Sequence, residues 1–351
     1  MTSDKLIERT ARSDAHLLAT RHSSLVTFPR IPDEFPGLQR LARRTRHDSA
    51  AVEVLPGDVG RRRYLRLLLG DGRSVLGVVY PAEETESRLR WNAARNVLRG
   101  RVRVPALIAD DQEGNQLVED FGRVDVATLL AAEPENRAAW LERAADSAAL
   151  FAGTPDPGIN PCFDSAFFRR ELDLTREAVF ELWLQAPLSA SDRAAHDAWA
   201  QSLAEEIAAH PQVLCHRDYH GNNLFPMGAA VGAIDFQDLR TGPDSYDLAS
   251  LLWERTTLAW MTPQVADAVI ERFAGALGRD PGALRQRLER VLLQRAWKVC
   301  GTFARAVAHG RGEIYRSFLP GELRLVRRLL TQQRPDRAFR AVFEARLAAI
   351  C

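Results

Sequence analysis

The stretch Leu214-Cys215-His216-Arg217-Asp218-Tyr219-His220-Gly221-Asn222-Asn223-Leu224, followed eleven residues after Asn223 by Ile234-Asp235-Phe236, is the densest run of chemistry in the chain. Two short apolar runs, Val213-Leu214-Cys215 and 231–234, read as strands around a polar, glycine-containing loop. Asp218 and Asn223 lie five apart on that loop, and Asp235 ends the second strand. Phosphoryl transfer needs this set: a carboxylate to orient and deprotonate an acceptor hydroxyl, and hard oxygen ligands for a magnesium ion that bridges the phosphates. Each element alone could be a chance pairing or an ordinary turn residue. Their order and spacing together favour the chemical reading.

Upstream, the pattern up to residue 122 is β-rich. A short apolar strand at 52–55 precedes the turn Pro56-Gly57-Asp58-Val59-Gly60. Runs at 62–69 and 74–80 are joined by Gly70-Asp71-Gly72-Arg73, a strong hairpin signal. Residues 83–99 read as a helix with Leu89, Ala93, Val97 and Leu98 on its packed face, and 105–110 and 116–119 read as further strands. After Gly122 the chain turns helical, with expected helices at 139–153, 164–185, 190–209, 244–260, 263–277, 282–309 and 321–333. The expected fold is α+β and two-lobed: an N-terminal extension (1–50), a small antiparallel-sheet N-lobe that binds nucleotide (51–122), and a larger, mainly helical C-lobe with the catalytic loop, metal site and acceptor site (123–351).

His216-x-Asp218-x4-Asn223, then Ile234-Asp235-Phe236 and Tyr246-Asp247-Leu248-Ala249, resembles the catalytic and metal loops of the aminoglycoside phosphotransferase and choline kinase superfamily, which has a protein-kinase-like fold. The resemblance implies that Asp218 is the base, that Asn223 and Asp235 hold Mg2+, and that His216 supports the loop. It also implies that Asp247 is a buried anchor hydrogen-bonded to the catalytic loop. A closer likeness is to bacterial cell-wall-recycling kinases that phosphorylate the anomeric hydroxyl of N-acetylmuramate and N-acetylglucosamine. It is carried by Leu55-Pro56-Gly57-Asp58, Arg62-Arg63-Tyr64-Leu65-Arg66, Val118-Glu119-Asp120-Phe121-Gly122, Asp235-Phe236-Gln237-Asp238 with Gly242-Pro243, Gly301-Thr302-Phe303-Ala304-Arg305, and Ile314-Tyr315 with Leu319-Pro320. Together these pieces span about residues 52–333. The resemblance implies a sugar kinase that uses ATP or GTP with Mg2+ and gives a sugar 1-phosphate.

One departure concerns the phosphates. A kinase N-lobe places a lysine on its third strand, but Ser74-Val75-Leu76-Gly77-Val78-Val79-Tyr80 has neither Lys nor Arg. Arg63 and Arg66 on the preceding strand are candidate replacements through bidentate contacts. Strand alternation puts Arg62, Tyr64 and Arg66 on one face and Arg63 and Leu65 on the other, so only one of the two candidates can serve. The acid that would brace this cation is Glu83, Glu84 or Glu86. Glu119, Asp120 and Phe121 fall where a kinase hinge pairs adenine with backbone groups, which makes Glu119 and Phe121 candidate nucleotide contacts. His216 and His220 could suggest a zinc site, yet only Cys215 stands near them, so packing is the favoured role.

Composition sets the outer bounds. The 351 residues carry a formal net charge of +1, with 46% hydrophobic and 26% charged residues, which gives no prior for nucleic acid or a membrane surface. Of 47 basic residues only Lys5 and Lys298 are lysines. The four cysteines (Cys162, Cys215, Cys300, Cys351) form no CxxC pair and read as reduced thiols of a cytoplasmic protein. The charged N-terminus lacks the apolar core of a secretory signal. The resemblance makes the leading expectation an amino-sugar kinase with a small-molecule acceptor, and composition adds the expectation of neither nucleic acid nor membrane as partner. The alternatives are a kinase of another small alcohol or of an aminoglycoside, and a non-catalytic nucleotide-binding pseudokinase.

Overall fold

The computed structural model describes residues 26–47, 49–56, 61–254, 256–310, 313–332 and 336–351. The glycine turn expected at 57–60, Arg255 and most of the N-terminal extension lie outside the described residues. The chain divides into two compact units, residues 1–137 with 221–237, and 138–220 with 238–351.

The first unit contains β1 (Val26–Phe28), α1 (Pro36–Arg44), β2 (Ser49–Leu55), β3 (Arg63–Leu69), β4 (Ser74–Val79), a 3-10 turn (Ala82–Glu84), α2 (Thr85–Leu98), β5 (Leu107–Asp110), β6 (Asn115–Glu119) and α3 (Val126–Ala132). Six strands form one antiparallel sheet in the order β1-β2-β3-β4-β6-β5. Period-2 alternation in β3 sends Leu65 and Leu67, both fully buried, into a core with Leu38 and Leu41 of α1, Val52, Val75 and Leu117. A Cβ at Gly77 would lie 2.6 Å from Leu38 Cδ2, so glycine lets α1 close onto the sheet. In the β3–β4 hairpin, Gly72 takes φ +83° and Asp71 accepts the Arg73 N–H at 3.0 Å.

Two expectations are corrected here. Residues 1–50 were expected to form an N-terminal extension outside the sheet lobe. Their described part instead supplies an edge strand and a core helix, whose apolar face (Leu38, Leu41, Ala42) is too short for a clear period. In α2 the buried residues are Arg88, Trp91, Ala94 and Leu98, and Leu89 is 54% exposed. The packed face is partly polar, which an apolar periodicity cannot show. Arg88 Nη1 donates to Asp110 at 2.6 and 2.9 Å, and Asn92 and Gln116 donate to the same carboxylate at 2.9 Å.

The second unit is mainly helical. It holds most of α4 (Arg137–Ala152), then α5 (Ser165–Arg176) running into a π-helical segment (Glu177–Trp183), α6 (Ala190–Ala208) and β7 (Gln212–Cys215). The chain then supplies a 3-10 turn (Gly221–Asn223), β8 (Leu224–Met227) and β9 (Ala230–Ala233) to the first unit. It returns with β10 (Arg240–Pro243), α7 (Tyr246–Leu252), α8 (Pro263–Ala276), α9 (Pro281–Ala308), α10 (Glu313–Gln332) and α11 (Arg337–Leu347). The two apolar runs around the central loop therefore belong to separate ladders, β7 pairing with β10 and β9 with β8. The helix expected at 244–260 ends at Leu252, because the Thr257 hydroxyl donates to the Leu252 carbonyl at 2.7 Å and the chain turns there. The four cysteines are free thiols. Among the described residues, no helix is long and apolar enough to cross a membrane.

His196 of α6 gives the second unit a pH-dependent stability. Its ring is fully buried, edge-on to Trp199 at 5.5 Å and Phe339 at 5.2 Å, and burial lowers its pKa to about 4 against the pull of Asp197. The unfolded chain therefore binds a proton near pH 6.5 that the folded state refuses until about pH 4, so stability falls as pH drops through that window. Thermal melts at pH 7 and pH 5 should show a loss of about 2 kcal/mol from this group. His196→Gln should flatten the difference, and equal pH slopes in both proteins would exclude the assignment.

Candidate active site

In the second unit, the loop after β7 is held at its backbone. Asp247, at the start of α7 and buried, accepts the N–H of His216 at 2.6 Å and of Arg217 at 2.9 Å. Arg295 of α9 donates to the Arg217 carbonyl at 3.2 Å and to Ser250 Oγ at 2.7 Å, and its guanidinium lies 4.5 Å over the Tyr246 ring. Tyr219 is buried and its hydroxyl donates to the Ala144 carbonyl at 2.7 Å. These bonds hold Arg217 at φ +85°, a conformation that non-glycine residues rarely adopt. Such strain persists only where the surroundings over-determine it, and here it sits immediately before Asp218. His216 is buried and packs edge-on against Phe151 (5.3 Å) and Tyr219 (5.6 Å).

Asp218 itself is half-buried. Burial would raise its carboxyl, but Lys298, Arg217, Arg295 and His220 outweigh that and hold it below the usual carboxylate range. It is therefore ionised at neutral pH. Asp247 moves the other way, raised by burial against the pull of His216 and two backbone N–H groups. Lys298 is paired with Glu171 at 3.2 Å and stays charged, because Tyr246 and Glu171 outweigh the effect of its burial. Sequence reasoning assigned no role to Lys298 or Arg295. The available signal was that Lys298 is one of two lysines among 47 basic residues.

The first unit carries Asn223 and Asp235 at the open end of the β8–β9 hairpin. Leu224 pairs with Ala233, and one rung outward the Ile234 N–H donates to the Asn223 carbonyl at 2.9 Å. Asp235 follows directly, so two residues twelve apart in sequence come to one end of a two-stranded ribbon, where opposed residues are spaced by about 5 Å. Asp235 is exposed, at φ +64°, and accepts a hydrogen bond from Gln237 Nε2 at 2.7 Å through Oδ1. Asparagine and aspartate are among the few residues that tolerate left-handed backbone. Arg217 and Asp235 are two of only five non-glycine residues with positive φ among those described, and both flank or form the sequence-nominated site. A carboxylate and a side-chain amide oxygen are the hard donors a magnesium ion takes, so these residues fit that metal.

The nucleotide candidates fare differently. Arg66 is buried, with Nε 2.5 Å and Nη2 3.1 Å from the Asp120 carboxylate, and Nη2 also donates to the Gly122 carbonyl at 2.8 Å. That guanidinium is consumed as a strut between β3 and the segment after β6. Arg63 is exposed and shares the face of Leu65 that packs on α1. Glu119 pairs with Arg103, and its own N–H donates to the Ala106 carbonyl at 2.9 Å, so that N–H is already engaged. Phe121 lies 4.7 Å beneath the Arg103 guanidinium and 6.1 Å from Phe225. Among the acids, Glu84 pairs with Arg62 at 3.2 Å, while Glu83 pairs with the exposed Arg61. A cluster of Asp173, His196 and Asp197 has metal-like spacing, but Arg169 bridges its two carboxylates at 3.0 and 3.3 Å and offsets their charge.

Comparison with known proteins gives the family. The chain is 30% identical over 271 residues to an N-acetylmuramate/N-acetylglucosamine kinase of Pseudomonas aeruginosa, covering 75% of this chain and 79% of that protein. It is 29% identical over 282 residues to one of Neisseria meningitidis serogroup B, covering 78% and 83%. Among solved structures, the ADP-bound aminoglycoside phosphotransferase APH(2'')-Ib matches with a TM-score of 0.59 at 14% identity, over 88% of this chain and 99% of that one. A choline/ethanolamine kinase family protein from Mesorhizobium loti matches with a TM-score of 0.56 at 15% identity, over 84% and 92%. These place the α+β fold among those of the aminoglycoside and choline kinases. The profile described as "Phosphotransferase enzyme family" matches residues 51–288, and the chain belongs to that family as a kinase.

Proposed function

We propose that this enzyme transfers the γ-phosphoryl group of ATP to the anomeric hydroxyl of an amino sugar of the N-acetylmuramate and N-acetylglucosamine class, giving the sugar 1-phosphate. The observation that carries the chemistry is an ionised Asp218 on a loop whose backbone is clamped by Asp247. Asp218 accepts the hydrogen bond of the acceptor hydroxyl, aligns its oxygen on the γ-phosphorus and takes the proton as the new P–O bond forms. The bond to the leaving oxygen of ADP breaks in the same displacement. A carboxylate held below its usual range is a weak base, so its larger contribution is orientation, with proton transfer late. Asn223 and Asp235 would hold magnesium, which offsets the charge on the phosphates.

The acceptor class rests on the two sugar-kinase relatives and on local charge. Lys298, Arg217 and Arg295 all act on Asp218, and Arg240 stands in the field of Arg217. Glu171 and Asp238 pair with Lys298 and Arg217 there, so the surroundings mix cations with acids and lack the excess of acid that a polycationic drug calls for.

Purified protein with ATP and Mg2+ should release ADP with N-acetylmuramate or N-acetylglucosamine, with loss of the sugar's reducing end. Methyl N-acetylglucosaminide, whose anomeric oxygen is blocked, should be inert. Turnover of an aminoglycoside or choline without turnover of either sugar would overturn the acceptor assignment. Nucleotide binding with no turnover of any acceptor would favour the pseudokinase alternative.

A further inference from the structure

We infer that Arg62, braced by Glu84, is the cation of the first unit that receives the nucleotide's phosphates. The inference rests on the reading that this enzyme uses a nucleoside triphosphate. Strand β4 offers no cation, so the phosphate charge must be met from a neighbouring element. Most arginines of that region are already engaged or face outward: Arg66 is held by Asp120, Arg88 by Asp110, Arg63 is exposed, and Arg61 makes an exposed pair with Glu83.

Arg62 is placed differently. It lies one residue before β3, and because Arg63 pairs with Val79 it sits level with Tyr80 at the end of β4. Strand alternation gives it the face of Tyr64 and Arg66, opposite the Leu65–Leu67 face that packs on α1. Its side chain is 19% exposed and Nε lies 3.2 Å from Glu84 Oε2. Glu84 is fixed in turn by the Arg61 N–H at 2.9 Å, and Tyr80 hydrogen-bonds with Arg62. A guanidinium has five N–H donors, and these two partners leave capacity for a phosphate.

Electrostatics supports the placement. Burial would lower the Arg62 pKa, yet it stands above the usual arginine value, with Tyr64, Tyr80, Asp235 and Glu84 as the groups that act on it. Arg62 is thus within electrostatic reach of Asp235, the carboxylate proposed to hold magnesium. Asp235 would hold the magnesium that offsets part of a polyphosphate's charge, and the Arg62 guanidinium, anchored by Glu84, would offset more of it.

Binding of MgADP and of adenosine, measured by calorimetry, tests this apart from catalysis. Arg62→Ala should weaken MgADP by roughly 10- to 100-fold, the range of a lost charge-assisted contact, and leave adenosine affinity unchanged. Arg62→Lys should restore most of the loss, and Glu84→Gln should cost a smaller factor. MgADP binding by Arg62→Ala at wild-type strength would overturn the inference and leave the phosphotransferase reading intact. An equal loss of MgADP and adenosine would also overturn it, by showing a structural effect. Absence of MgADP binding by the wild-type protein would overturn the nucleotide reading itself.

Discussion

Asp218→Asn should lower kcat by about 100-fold or more while nucleotide affinity changes little. The amide matches the carboxylate in size, so the clamp of Asp247 on the His216 and Arg217 N–H groups and the Tyr219–Ala144 bond have no reason to move. The charge and the proton acceptor are what disappear. Lys298, Arg217 and Arg295, which hold the native carboxyl ionised, would then surround a neutral group, and the amide N–H₂ can present a donor where the hydroxyl needs an acceptor. Steady-state kinetics with an unchanged melting temperature would locate the loss in the chemical step. Turnover close to that of the parent would remove Asp218 from the mechanism.

Asp235→Ala should abolish turnover and remove most of the magnesium dependence of nucleotide binding, because the phosphates lose the ligand that places their bridging cation. Alanine at φ +64° also adds a backbone penalty of about 1 kcal/mol, which could confuse the result. Asp235→Gly separates the two effects, since glycine adopts that backbone freely and deletes only the carboxylate and its bond from Gln237. Both variants should show the same loss, read by calorimetry with ADP in the presence and absence of Mg2+. Equal affinity in Asp235→Gly and the parent, both with Mg2+, would rule out the assignment.

The sequence alone nominated Asp218, Asn223 and Asp235 for the chemistry, for a local reason. Asp218 and Asn223 lie in one loop, and a ribbon of four-residue strands brings Asp235 back beside Asn223, so contiguous spacing and short-range pairing contain most of the information. The β3–β4 hairpin and the long helices were legible on the same grounds, since turn chemistry and periodicity are properties of neighbouring residues. The Asp247 anchor came from resemblance and is borne out by its two backbone hydrogen bonds. What only the tertiary structure decided is where each charge goes. Arginines look alike in sequence, and strand alternation offered Arg66 and Arg63 as equals. Asp120, far along the chain, claims Arg66, whereas Glu84 takes Arg62. Lys298, which meets Glu171 from a separate helix, holds the Asp218 carboxyl down together with Arg217 and Arg295. The packed face of α2 was misread because an Arg88–Asp110 pair stands where an apolar contact was expected. Each of these salt bridges is set by a partner at long sequence separation, and no local pattern encodes that partner.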